Sequence, residues 1–351
     1  VSDVRTTLEE TVRGGDPVRE TSFDGAALAG AALGGGIFEA VTFRGAKLAG
    51  ACLDESVFVR CDFTDADLTG ASLRHVTMQE CALDRACLAR ISVVSGGASN
   101  TSMRQCDFSG ATLTCSMFGS GDLQGARFVG ATLDRTAFVS CDTYGIDLSG
   151  ARVISSILQH ADLTQTLFVG AVFERAMLMN AKFGAVDLRG VPCTMTQFLG
   201  SDLTGAQLQG ADLTQCNFKD AVLDDARMDG VNATMGIFVG ASLRRAVLTG
   251  AKLRHAVMDK ADLSEAALQG AVMDMVVARD ARFIGAKLRD AALSYADLSR
   301  ADLTGADLSG AMLFRTRLHR VVDRGTVWGN RAIALGDDED LARAETWKTD
   351  Y

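Results

Sequence analysis

An all-β solenoid is the fold class this sequence predicts, and three observations predict it. From Thr21 to Arg320 a five-residue period runs through sixty consecutive pentads without insertion or deletion. The centre of each pentad is nearly always Leu or Phe, as at Phe23, Leu28, Leu33, Phe38, Leu298, Leu303 and Leu308; the residue two earlier is small, usually Ala, and the residue two later is Gly or polar. Only two prolines occur in 351 residues, as expected where coil-to-coil hydrogen bonding uses backbone N–H groups.

The first element precedes the repeat. Residues 1–20 read as an N-terminal cap, in which Val4, Leu8 and Val12 fall four apart on one side of a short helix. Ser2 is its candidate N-cap and Gly14-Gly15 its stop. Such a helix is expected to cover the open end of the first coil.

Residues 21–320 form the second element. A period of five fits neither the helical period of 3.6 nor simple strand alternation. Four residues of extended chain and a corner do fit. Residues two apart in an extended segment point to the same side, so the small residue and the central Leu or Phe both point inward. The corner resets the phase and needs unusual backbone angles, which is why so many glycines fall there. The chain must wind as a coil, and stacked coils bury a ladder of Leu and Phe beside a ladder of Ala. The unbroken frame overrides the two-domain expectation that the length alone would suggest.

Residues 321–351 form the third element, where the frame decays. Val321, Val322, Val327, Trp328, Ile333 and Leu335 are irregular apolar residues suited to closing the last coil, whose edge is otherwise unpaired. The acidic tail 337–351 reads as the start of a short helix. Capping is its expected role, with partner binding through Trp347 and Tyr351 the lesser alternative.

The pentads ADLTG (66–70), ADLTQ (161–165), ADLSE (261–265), ADLSR (296–300), ADLTG (301–305) and ADLSG (306–310) resemble those of pentapeptide-repeat proteins. The resemblance spans the whole repeat. It implies a right-handed, four-sided parallel β-helix with four pentads per coil, hence about 15 coils and, at the inter-strand spacing of ~4.8 Å, a rod roughly 70 Å long.

Composition narrows the function. A formal net charge of −9 argues against direct nucleic-acid binding, which wants a basic surface. No apolar run is long enough to insert in a membrane and no signal-peptide pattern opens the sequence, so a cytoplasmic location is expected. The nine cysteines are a packing feature: Cys61, Cys81, Cys106, Cys141 and Cys216 take the small inward position, Cys193 a central one, and Cys52, Cys87 and Cys115 outward or corner positions. Cys61 and Cys81 are one coil apart and are read as buried thiols. No C-x-x-C occurs, so neither a zinc site nor a disulfide framework is indicated.

The histidines form no constellation. His75, His160 and His255 are corner residues, His319 lies near the end, and all four are expected in solvent. Asp202, Asp262 and Asp302 make a ladder that could suggest cation binding, but Asp before the central Leu is part of the repeat motif. No catalytic residue, cofactor or metal is expected, and a smooth convex surface lacks the concave pocket that catalysis uses.

Function must then lie on the outer faces. Every twentieth residue traces one face. The face centred on Phe23, Phe43 and Phe63 carries −6 from its outward and corner positions, whereas the faces after it sum to 0, +1 and +1. The acid is broken by Arg44, Arg104, Lys182, Arg244, Arg245 and Arg282. The fourth face, centred on Phe38 and Phe58, is unusual at its outward positions: Ile37, Val57, Val59, Met117, Val139, Ile157, Met177, Met179, Leu199, Ile237, Val239, Val257 and Val277. Corners beside it add Met195, Met235 and Met275. The other faces carry Asp, Lys, Thr, Ser and Arg at equivalent positions, so strand preference alone does not explain the difference.

The expected function is therefore a non-enzymatic scaffold that binds a partner protein, or a second copy of itself, through this apolar face. The family resemblance implies two alternatives. One is a DNA mimic that binds DNA gyrase. Against it stand the arginines in the acidic face, the length of the repeat, and a tail without the apolar helix that typically dimerises such proteins. The other is an accessory or adaptor of a bacterial type VI secretion system, since FVRC (58–61), FVSC (138–141) and FVGA (168–171 and 238–241) are similar to repeats encoded beside secretion spikes.

Overall fold

In the computed structural model, which describes residues 3–347, the chain is a parallel β-solenoid. Its contacts divide it into two compact units, Val1–Phe183 and Gly184–Tyr351. Both are built by the same rule. Each pentad contributes one short extended segment, and the segment twenty residues later stacks on it in parallel register. In the first unit, for example, Ser22 pairs with Thr42, Ala27 with Lys47, Ala32 with Cys52 and Ile37 with Val57. Four such columns make four faces. In the second unit the same four columns appear as Asp202–Val222, Gln207–Arg227, Asp212–Asn232 and Asn217–Ile237.

Two columns of the first unit are regular enough to form sheets. The fourth face is seven-stranded, from Val18–Arg19 through Ile37–Glu39, Val57–Val59, Thr77–Gln79, Gly97–Ser99 and Met117–Gly119 to Ala137–Val139. The third face is five-stranded, from Ser92–Val94 to Val172–Glu174. All pairings are parallel and shift by twenty residues, so every inward side chain sits on its equivalent in the next coil.

The core follows. Central Leu and Phe residues and the small residues before them are almost fully excluded from solvent, Leu203, Ala206 and Leu208 at 0% exposure among them. The Phe side chains stack along the coils. In the first unit Phe23, Phe43 and Phe63 are 5.4 and 4.8 Å apart along the first face, Phe38 and Phe58 are 4.8 Å apart along the adjoining fourth face, and the two ladders meet edge to face. This offset and perpendicular packing suits the aromatic quadrupole.

Nearly every corner turns at a left-handed residue, although Gln165 does not and Gly184 takes that conformation in place of Ala185. Many of these residues are glycine, but Glu55, Arg85 and Met195 adopt the same conformation, with φ of 61°, 59° and 56°. Gly230 (φ 63°) has open space where a Cβ would stand, so its glycine answers to the backbone angle and not to crowding.

The repeated Asp also has a local explanation. Its carboxylate accepts the N–H of the residue two positions on, as Asp202 does from Thr204, Asp262 from Ser264 and Asp302 from Thr304, each at 3.0 Å. These are Asx turns that satisfy corner amides.

At the N-terminus α1 (Val4–Arg13) buries Leu8 and Val12 and stops at Gly14. Its N-cap is Asp3, without a side-chain capping bond; Ser2 lies outside the described residues. The helix serves the open edge of the first coil through two charged side chains. Arg5 donates to the carbonyls of Ala29 and Gly30, both at 2.8 Å, and Glu9 accepts the N–H of Ala32 at 2.9 Å. The Ala29 carbonyl and the Ala32 N–H are edge groups that a preceding coil would otherwise satisfy. At the other end Val327–Trp328 pairs with Asp307–Leu308, and α2 (Glu339–Thr346) follows, capped by Asp338. Tyr351 lies outside the described residues; Trp347 is exposed.

Candidate interaction surface

The fourth face offers its outward side chains on either side of a buried central residue. In the first unit Ile37 stands in register with Val57, and Val59 flanks the same strand. Thr77, Gln79, Gly97 and Ser99 then interrupt the apolar surface. It resumes at Met117, which aligns with Ala137, Ile157 and Met177 on successive coils, with Val139 and Met179 in the parallel column. In the second unit Leu199 stands apart, because Asn217 and Lys219 follow it. Ile237, Val257 and Val277 are in register, with Val239 beside them. Thus the thirteen residues form separate patches within each unit and not one continuous strip.

Their exposure varies. Ile37, Met117, Val139, Met177 and Ile237 are exposed, Met117 to 61%; Val57, Val59, Ile157, Met179, Leu199, Val239, Val257 and Val277 are half-buried. Neighbours stacked one strand spacing apart shield one another's flanks. Met195, Met235 and Met275 are all about half exposed at their corners.

The structure adds apolar groups that the face-by-face sequence reading passed over. Leu167 and Val169 flank Phe168 on the second face and are 56% and 78% exposed. Their pentad, TLFVG, carries the same apolar-Phe-Val signal as the fourth face and could have been found by it. In the second unit Tyr295 and Phe314 meet edge to face at 5.5 Å, both exposed, close in sequence to exposed Met312.

The acidic first face is partly neutralised where the arginines interrupt it. Arg44 pairs with Asp62 at 2.5 Å and Arg104 with Asp122 at 3.1 Å; in the second unit Arg245 pairs with Asp225 at 2.7 Å. The Arg245 guanidinium holds the Asp225 carboxyl below its ordinary range, and Arg85 does the same for Asp65. Among the described residues no group of three or more His, Cys, Asp or Glu is arranged to hold a metal.

The nine cysteines are all free. Cys61 and Cys81 are buried, and their thiols point to the carbonyls of Phe38 and Phe58 at 3.5 Å. Burial pushes the Cys106 and Cys216 thiols up to about 12, which keeps them protonated and unreactive. His75, His160 and His255 are exposed at corners, as expected. His319 is not: it is 2% exposed, because the tail folds over it, and its ring contacts Asp338 and Glu345.

A family model described as Pentapeptide repeats matches residues 21–58, 56–91, 98–128, 156–191, 198–234, 237–274 and 281–320. The chain belongs to the pentapeptide-repeat family. Among solved structures it is similar to HetL, a pentapeptide-repeat protein involved in heterocyst differentiation regulation from the cyanobacterium Nostoc, at 24% identity over 81% of this chain and 86% of that one, with a TM-score of 0.19. QnrB1, a plasmid-mediated fluoroquinolone resistance protein, is 18% identical over 77% of this chain and 96% of its own, with a TM-score of 0.15. Rfr23, a pentapeptide-repeat protein from the cyanobacterium Cyanothece, is 19% identical over 45% of this chain and 89% of its own, also with a TM-score of 0.15. No curated protein matches the chain at a significant level. No described helix of this pentapeptide-repeat protein is long and apolar enough to cross a membrane.

Proposed function

We propose that this pentapeptide-repeat protein is a non-enzymatic interaction scaffold and that the apolar patches of its fourth face are where a partner protein, or a second copy of the chain, docks. One observation carries the reading. Large apolar side chains occupy outward positions of this face and remain in contact with solvent, whereas the other faces use charged and hydroxyl residues at most equivalent positions. Exposed apolar surface beyond a few hundred Å² usually marks a contact. Covering it gains ~25 cal/mol for each Å² removed from water.

The test is a double substitution, Met179→Asp with Val239→Asp. Both side chains flank the core without entering it, so folding should survive. Each carboxylate would lose hydration in the contact with no cation prepared for it, at a cost of several kcal/mol. Light scattering should show self-association of the wild type, or affinity capture a defined partner, and the variant should lose it. A monomeric wild type that captures nothing, with a variant indistinguishable from it, would leave strand preference as the whole explanation. Inhibition of DNA gyrase supercoiling, abolished by charge reversal at Asp202 or Asp262, would instead move the function to the acidic face.

A further inference from the structure

Helix α2 cannot stand on its own. It has eight residues, fewer than the ~12–15 at which isolated helices become even marginal in water. It places Glu345 in its last turn, where the helix dipole disfavours a negative charge. None of its residues is buried, and Leu341 remains 41% exposed, so apolar burial does not hold it in place.

Its attachment is polar and converges on one carboxylate. Glu345 meets Arg300 at 2.9 Å, Arg320 at 2.8 Å and His319 Nε2 at 3.4 Å. Arg320 also donates to the carbonyl of Ala342 at 3.2 Å, and its N–H donates to Asp337 at 2.7 Å. The N–H of Asp338 donates to His319 Nδ1 at 3.1 Å. Since Nδ1 accepts, the neutral ring carries its proton on Nε2, facing Glu345.

Ser299 and His319 occupy the same outward column of the fourth face as Val239, yet they are only 4% and 2% exposed. The α2 segment touches His319 directly and holds Arg300, the neighbour of Ser299. The tail therefore lies over this end of the face within the second unit.

We propose that α2 is a displaceable strap over the outward positions Ser299 and His319, with Glu345 as its catch. Releasing the catch removes the anion that two guanidinium groups share, and a helix this short then melts instead of sliding. This holds whatever docks on the patches described above, because it concerns the tail and the coils beneath it alone.

The experiment uses the full chain and compares wild type with Glu345→Gln by hydrogen exchange and mass spectrometry, with diethyl pyrocarbonate labelling of His319 as a second readout. In the wild type at low salt the α2 amides should be protected. In the variant they should exchange at least roughly tenfold faster, and His319 should label, while amides around Leu303 and Leu308 keep wild-type protection. Raising salt from about 0.1 M to about 1 M, which shortens the screening length from about 10 Å to about 3 Å, should move the wild type in the same direction. Unchanged α2 protection in both the variant and high salt would overturn the proposal. So would loss of protection spreading equally into the coils, which would make α2 a structural cap, or absence of α2 protection in the wild type.

Discussion

At the residue scale the repeat separates two kinds of position that differ by a single step along the chain. Leu208 is wholly buried, and its equivalents stack above and below it. Parallel coils held by hydrogen bonds on both sides, Leu208 N–H to the Arg227 carbonyl at 2.7 Å among them, cannot collapse inward to fill a hole. Leu208→Ala should therefore cost about 2–5 kcal/mol. Thr204 points outward, and its hydroxyl serves only the Asp202 carboxylate at 2.6 Å, so Thr204→Ala should stay close to neutral. Denaturant titration of both variants checks this, and equal effects would refute the inward and outward assignment.

At the element scale the aromatic ladder of the fourth face is broken in the first unit. Phe38 and Phe58 stack at 4.8 Å and Phe118 and Phe138 at 5.1 Å, but Met78 and Ala98 stand between the two pairs. A cavity of about 30 Å³, lined by Met78, Val93, Ala98, Met103 and Phe118 among others, marks the gap. An unfilled apolar space forfeits dispersion contacts without gaining water. Ala98→Val adds methyl groups on a residue already in a strand, Gly97–Ser99. It should raise stability by about 0.5–2 kcal/mol, the usual gain from cavity filling. A fall in the denaturation midpoint would mean that the surrounding side chains have no room to accept the added volume.

At the scale of the whole molecule, stability should depend on acid pH. Hydrogen bonds from Arg85, Thr69, Arg189, Arg245 and Ser309 hold Asp65, Asp67, Asp187, Asp225 and Asp307 below their ordinary value of 3.8. A carboxylate depressed in the folded state favours folding fully above its unfolded pKa and loses that contribution as pH falls through the folded one. The melting temperature should thus be level with respect to these groups above about pH 5 and decline progressively below about pH 4. Melts recorded across that range test it; a melting temperature that rises below pH 4 would reverse the sign. Most of these groups are well exposed, so the individual contributions are small and screened by salt.

The period of five specifies the solenoid, because extended segments joined by corners place Ala206 and Leu208 inward together on their coil. It also showed which side chains face out, so the apolar residues of the fourth face were legible one by one. Their grouping was only partly legible: Gln79, Gly97, Asn217 and Lys219 were visible in the sequence, but how far each patch extends depends on neighbours a coil apart. Leu167 and Val169 carry the same signal on the second face, where Asp147, Ser149, Asp187 and Arg189 one coil away leave it isolated. The repeat assigns the position of His319 outward, toward solvent. A tail without the repeat has no frame from which its docking could be read, and only tertiary contact brought Glu345 and Asp338 onto that ring. Periodicity fixes what each residue does relative to its own coil. Where aperiodic segments such as α1 and α2 settle is decided by unpaired edges and by charged side chains that distant parts of the chain supply.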